Sequence, residues 1–175
     1  PRLKVENPEP LIAVVDIGAT MTNLSVLRHE EIIYSRDQVF GGKQLTDEIM
    51  RRFKMSNGEA GYAKKKGGLP AEYKRDVLYP FLQTAVQQIS RALQLFYSSS
   101  AYNRIDYILL AGGSSATEGL AGMVEEALGT PASVANPFIL TSSNSRIDQE
   151  ALNNDAPALM VAFGLAMRNL ENATD

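Results

Sequence analysis

The chain has 175 residues, 45% hydrophobic and 21% charged, a composition that excludes collagen-like, low-complexity and strongly disordered classes. Seventeen Lys and Arg against twenty Asp and Glu leave a net charge of −3 with no long basic face, which argues against nucleic acid as a partner. With no cysteine, disulfides and thiolate metal sites are excluded, so one core, or two small lobes, must hold the fold.

No run approaches the roughly 18 to 20 apolar residues of a membrane span, so direct membrane insertion is not expected. Pro1-Arg2-Leu3-Lys4 lacks the apolar core of a secretory signal, and the start at Pro1 without Met leads to the expectation of a fragment of something longer.

Residues 11–16 form a continuous apolar run ending in Asp16, the pattern of a strand buried on both faces. Residues 21–27 and 32–39 are β-rich and separated by Arg28-His29-Glu30, which predicts a three-stranded meander. Gly41-Gly42 breaks the pattern, and Leu45, Ile49, Met50 and Phe53 then recur at helical spacing from about Lys43. Residues 56–73 turn to Gly, Lys and small side chains, a small helical or looped excursion. Between residues 77 and 97 an apolar period of 3.6 predicts a long amphipathic helix with Pro80 near its start. Residues 105–111 read as a second buried strand closed by Gly112-Gly113-Ser114-Ser115, and Leu120, Val124, Ala127 and Leu128 as a helix stopped at Gly129-Thr130-Pro131. A short edge segment at 132–135, a polar stretch to Asn154 and a small-residue helix over 156–170 complete an α/β order.

Two glycine-containing turns after buried strands are the candidate chemistry. In Asp16-Ile17-Gly18-Ala19-Thr20-Met21-Thr22 a carboxylate at a strand end can hold a metal-bound water, and the following N–H groups can cradle phosphate oxygens. A tight turn with a capping Asp explains the same residues. In Gly112-Gly113-Ser114-Ser115 the paired glycines let backbone approach a flat ring or a phosphate at a helix start, while close strand–helix packing with serine capping is the competing explanation. The spacing matches neither a Walker loop nor a dinucleotide fingerprint. His29, the only histidine, reads as a surface turn residue, so Ser114 and Ser115 lack a base for nucleophilic activation. The run Lys64-Lys65-Lys66 reads as a solvated face.

Taken in order, Asp16-Ile17-Gly18-Ala19-Thr20, Gly41-Gly42, Gly112-Gly113-Ser114-Ser115 and Ala162-Phe163-Gly164-Leu165-Ala166 resemble the second half of the actin, Hsp70 and sugar-kinase superfamily. Through Gly41-Gly42-Lys43-Gln44-Leu45-Thr46-Asp47-Glu48-Ile49, the segment 60–68 and the segment 162–168, the chain is most similar to the PilM family, FtsA-like proteins of type IV pilus assembly. The resemblance implies a ribonuclease-H-like βββαβα sheet, subdomain 2A, over residues 1–42 and 99–175, with a helical insertion, subdomain 2B, over 43–98. It also implies ATP or ADP with Mg²⁺ as ligands. Asp16 would face the Mg²⁺ through water, Gly18, Ala19 and Thr20 would form a phosphate loop, and Thr22 would match a hydroxyl position. Gly41 and Gly42 would approach the nucleotide from the next helix. Gly112 and Gly113 would lie against the adenine and α-phosphate, flanked by Ser114 and Ser115, with Gly113 the least replaceable. At the ribose the superfamily pairs Glu and Lys three apart where this chain has Gly61 and Lys64, so Lys64 alone carries over.

The resemblance further implies a partner, the cytoplasmic N-terminal peptide of PilN, in a groove mainly in the other half, together with other inner-membrane platform proteins. The location implied is the bacterial cytoplasm at the inner face of the inner membrane. Half a cleft implies that this chain is inactive by itself and that any hydrolysis by the whole is slow and regulatory. A sugar or acetate kinase half, or half of an FtsA-like division filament protein, are the alternatives. The latter normally carries an amphipathic tail, whereas Leu170-Glu171-Asn172-Ala173-Thr174-Asp175 is polar.

Overall fold

The computed structural model describes residues 9–139 and 147–171. The start at 1–8, the middle of the polar stretch at 140–146 and the last residues, 172–175, lie outside the described residues.

Five strands form one mixed sheet in the order β3-β2-β1-β4-β5. β1 (Ile12–Ile17), β2 (Thr22–Arg28) and β3 (Glu31–Gln38) make the antiparallel meander expected from the sequence. His29 and Glu30, at φ 50° and 66°, form the two-residue turn between β2 and β3, the left-handed pair whose twist matches that of the flanking strands. β4 (Tyr107–Ala111) then joins β1 in parallel, and β5 (Ala132–Val134) joins β4 in parallel. One face of β1 is fully buried, with Ala13, Val15 and Ile17 alternating with half-exposed Ile12, Val14 and Asp16. The apolar run of β1 therefore does not mean burial on both faces, because among the described residues the helices pack mainly on one side.

That side is covered by α1 (Gly42–Phe53), α3 (Tyr79–Ser99) and α4 (Leu120–Leu128), whose buried residues join those of the strands in a single cluster. α3 contributes Phe81, Leu82, Ala85, Ile89, Ala92, Leu93 and Phe96. At about 1.5 to 3 kcal/mol for each large apolar side chain buried, packing alone fixes this helix. Between them lies α2 (Asn57–Lys66), which buries only Ala60 and is defined instead by its ends. The Ser56 hydroxyl accepts from the Glu59 N–H while the Glu59 carboxylate accepts from the Ser56 N–H, a capping box.

Pro80 is the second residue of α3, near its start as expected, but the helical path itself begins further upstream. A π-helical turn, Lys74–Leu78, precedes α3, and the Tyr79 N–H donates to the Lys74 carbonyl. The wider turn makes room for a proline ring that would press on the carbonyl four residues back in a regular helix. The C-terminal region also differs from expectation. The polar stretch contains α5 (Gln149–Asp155), nucleated by the Asp148 carboxylate accepting from the Glu150 and Ala151 N–H groups. A 3₁₀ turn, Ala156–Leu159, then leads into α6 (Met160–Glu171). No helix among the described residues is long and apolar enough to cross a membrane.

Candidate functional site

Parallel pairing sets Asp16 of β1 beside Ala111 of β4, so the loop after β1 and the turn after β4 leave the sheet side by side. This is the carboxyl edge at which open α/β sheets bind ligands. The Ser114 N–H donates to the Ile17 carbonyl at 3.0 Å, and the Ser114 hydroxyl donates to the Gly18 carbonyl at 2.9 Å. A third segment joins them, since the Gly42 N–H donates to the same Gly18 carbonyl at 3.0 Å and the Lys43 N–H to the Ala19 carbonyl at 2.7 Å. The Gly18 carbonyl thus ties together the β1–β2 loop, the start of α1 and the β4–α4 turn.

Glycine is required here by close approach. A Cβ on Gly41 would lie 2.5 Å from the Ala19 carbonyl group, and one on Gly42 would lie 2.1 Å from the Ser114 hydroxyl oxygen. Gly112 has φ +84°, and its Cβ would meet Asp16 Oδ1 at 2.3 Å and the Ile17 carbonyl oxygen at 2.5 Å. Gly113 differs: it is exposed, and the nearest atom to a Cβ there is Ala158 Cβ at 3.7 Å. Three of the four glycines accommodate the protein's own chain, whereas a Cβ on Gly113 would make only an ordinary contact with Ala158.

The side chains divide in the same way. Thr22 is buried and its hydroxyl donates to the Phe40 carbonyl at 2.9 Å, fixing the connection into α1. Ser115 is buried and its hydroxyl donates to the Gly112 carbonyl at 2.8 Å. Ala19 and Thr20 are exposed at the loop tip. Asp16 is half-buried and has no hydrogen-bond or ion-pair partner among the described residues; burial pushes its carboxyl above the ordinary value of 3.8. Lys64 reaches the same neighbourhood from α2, its ammonium donating to Thr46 Oγ1 at 2.8 Å and to the Gly42 carbonyl at 3.4 Å. Burial first, and Lys65 second, lower its pKa.

The structure therefore brings Asp16, the 18–20 loop, Gly41, Gly42, Lys64 and the 112–115 turn to one edge. It adds residues that the sequence reading missed. Thr46, nearly buried, links Lys64 to α1 while its own hydroxyl donates to the Gly42 carbonyl at 3.2 Å. A threonine four residues after Gly42, on the face of Leu45 and Ile49, was the available signal. Pro157 accepts from the Gly112 N–H at 2.8 Å, a contact between distant segments for which the sequence held no sign. No three His, Cys, Asp or Glu side chains converge among the described residues. A Mg²⁺ here fits only as an ion carried by phosphate oxygens and water beside the single carboxylate of Asp16.

Residues 2–170 match the family model described as type IV pilus assembly protein PilM. The chain belongs to the PilM family. Over 94% of its length this PilM-family chain is similar, at 30% identity and a TM-score of 0.79, to a chain of a PilM–PilN type IV pilus biogenesis complex, of which 47% is covered. Ethanolamine utilization protein EutJ from Carboxydothermus hydrogenoformans aligns at TM-score 0.65 and 20% identity over 92% of this chain and 49% of that one. An archaeal actin homolog aligns at TM-score 0.61 and 16% identity over 94% and 50%. These two likenesses show the actin-like fold. The PilM-family chain spans about half the length of each.

Proposed function

We propose that this chain supplies one wall of an adenine-nucleotide site in a PilM-family protein that scaffolds the cytoplasmic face of the type IV pilus machine. The observation that carries the reading is the Asp16 carboxylate, half-buried without a partner at the carboxyl end of a parallel strand pair. A carboxylate that only capped a turn would be engaged with the N–H groups of that turn. The exposed Ala19-Thr20 tip and the exposed backbone at Gly113 fit a phosphate and a flat base approaching backbone.

Bound Mg²⁺ would neutralise phosphate charge, with Asp16 orienting a water of its shell. Thr22, Ser114 and Ser115 serve by shaping the loops, since their hydroxyls are engaged with protein carbonyls. PilN is the proposed protein partner, because a PilM–PilN complex contains the similar chain at 30% identity. The family match favours this role over a sugar kinase or a division filament.

Isothermal titration tests the reading. The whole natural protein is expected to bind Mg-ATP and Mg-ADP, and Asp16→Ala to weaken this about 10- to 100-fold with Mg²⁺ present and less without it, as for loss of one charge-assisted hydrogen bond. The present chain by itself is expected to bind no tighter than about millimolar, roughly 4 kcal/mol. Unchanged Mg-ATP affinity in Asp16→Ala returns Asp16 to a structural turn, and micromolar affinity of this chain alone overturns the shared-cleft reading.

A further inference from the structure

α2 is attached to the molecule in an unusual way. It buries one small apolar residue, Ala60, against seven for α3. Its capping box closes its N-terminus internally and the Gly67 N–H closes its C-terminus on the Ala63 carbonyl, so it is a self-contained rod. Among the described residues the only side-chain hydrogen bonds from α2 to another element are those of Lys64. Both end on the first turn of α1, at Thr46 Oγ1 and the Gly42 carbonyl, and no carboxylate among the described residues pairs with the ammonium.

That same turn is held from its other side by the loop after β1, through Gly42 N–H to the Gly18 carbonyl and Lys43 N–H to the Ala19 carbonyl. A continuous set of hydrogen bonds therefore runs from the loop, through the first turn of α1 and Thr46, to Lys64 on α2. The first turn of α1 has no side-chain cap of its own, so these contacts are what fix it.

We propose that Lys64 is a positioning residue that latches α2 to the first turn of α1, so that the 17–21 loop and α2 move together. Resting on the nucleotide reading above, the latch makes α2 the element that reports loop occupancy to the outer surface. A strong pull on the 18–20 carbonyls shifts Gly42 and Lys43, and the ammonium carries that shift to α2.

Hydrogen exchange on the whole natural protein tests this in two arms. Without nucleotide, Lys64→Met, which keeps the stem and removes the charge, is expected to speed exchange of the Gly42, Lys43 and Gln44 amides and of α2 about tenfold, while Lys64→Arg and Thr46→Ser restore them and Thr46→Val behaves as Lys64→Met does. Circular dichroism confirms that each variant is folded. Loosening of α2 with no change at residues 42–44 overturns the latch and leaves Lys64 a local anchor. With Mg-AMPPNP, both the 17–21 loop and α2 of the unsubstituted protein are expected to slow, and in Thr46→Val, which cuts the latch while keeping the lysine, the loop only. An equal response of α2 in both proteins overturns the coupling. Failure of the loop itself to respond overturns the nucleotide reading, while the ligand-free arm still decides the latch.

Discussion

Gly112 stands directly against Asp16: a Cβ on Gly112 would lie 2.3 Å from Asp16 Oδ1. The same glycine, at φ +84°, turns the chain out of β4 and hands its N–H to the Pro157 carbonyl. The carboxylate that carries the proposed function is thus held in place by an absent side chain. Its half-burial is a consequence of how closely the β4 turn passes over β1.

Gly112→Ala is expected to destabilise the chain by about 1 to 3 kcal/mol, from the left-handed backbone together with a clash on the Ile17 carbonyl, which cannot move aside as a side chain can. Gly113→Ala is expected to stay within about 0.5 kcal/mol, because its Cβ would make only an ordinary van der Waals contact with Ala158 at 3.7 Å. Urea denaturation of the two variants separates them, and equal losses would place the conformational demand at both positions.

Asp16→Asn is expected to raise thermal stability at pH 7. Burial raises the folded-state pKa above the ordinary 3.8, so the native state binds the proton more tightly than the unfolded one. The ionised carboxylate therefore lowers stability, fully so above the folded pKa, and protonation relieves that cost as pH falls through it to the unfolded value. The gain in Asp16→Asn should disappear in acid below pH 3.8. A stabilising substitution that weakens Mg-nucleotide binding marks a group retained for a ligand. A melt at pH 7 showing a lower midpoint for Asp16→Asn would falsify this assignment.

β1, β2 and β4 were legible because burial on one face leaves apolar runs, β3 through its β-branched residues although it is largely exposed, and α1, α3 and α4 because their apolar residues keep the helical period. α5 was not, since Gln149–Asp155 buries nothing and exists through the Asp148 cap. α2 carried a readable mark in Ser56 and Glu59, three apart, but its flat polarity masked it. At the candidate site, the glycine pairs and Asp16 stood out by type and place. Which glycine of a pair takes positive φ, and that the Ser114 hydroxyl turns inward to Gly18, depend on three segments that meet only after folding.

Thr22→Val is expected to cost about 1 to 3 kcal/mol despite near-identical shape. The hydroxyl is 1% exposed as part of its residue and donates to the Phe40 carbonyl at 2.9 Å, so valine leaves a buried acceptor without its donor. Thr22→Ser should retain most of the stability. If valine were neutral in urea denaturation, water would have to reach Phe40.

The last expectation concerns acid. Asp76 in the π-helical turn pairs with Arg75 at 2.5 Å and with Arg52 at the end of α1, and hydrogen bonding to Arg75, then to Arg52, holds its carboxyl at about 2 against an ordinary 3.8. The folded-state pKa is depressed, so the pairing contributes stability above the unfolded value, and that stability is lost as pH falls from about 3.8 to about 2. Asp76→Asn keeps the shape and removes the charge. It should be less stable than the parent at pH 7, and the two should converge as pH approaches 2. Arg52→Met, which severs the link to α1 and leaves Arg75 in place, should show a smaller acid-dependent difference of the same sign. Because both partners are exposed, the differences should also shrink in high salt. Thermal melts across pH 2 to 7 at low and high salt would show a constant offset between parent and Asp76→Asn if the pair contributes nothing through charge.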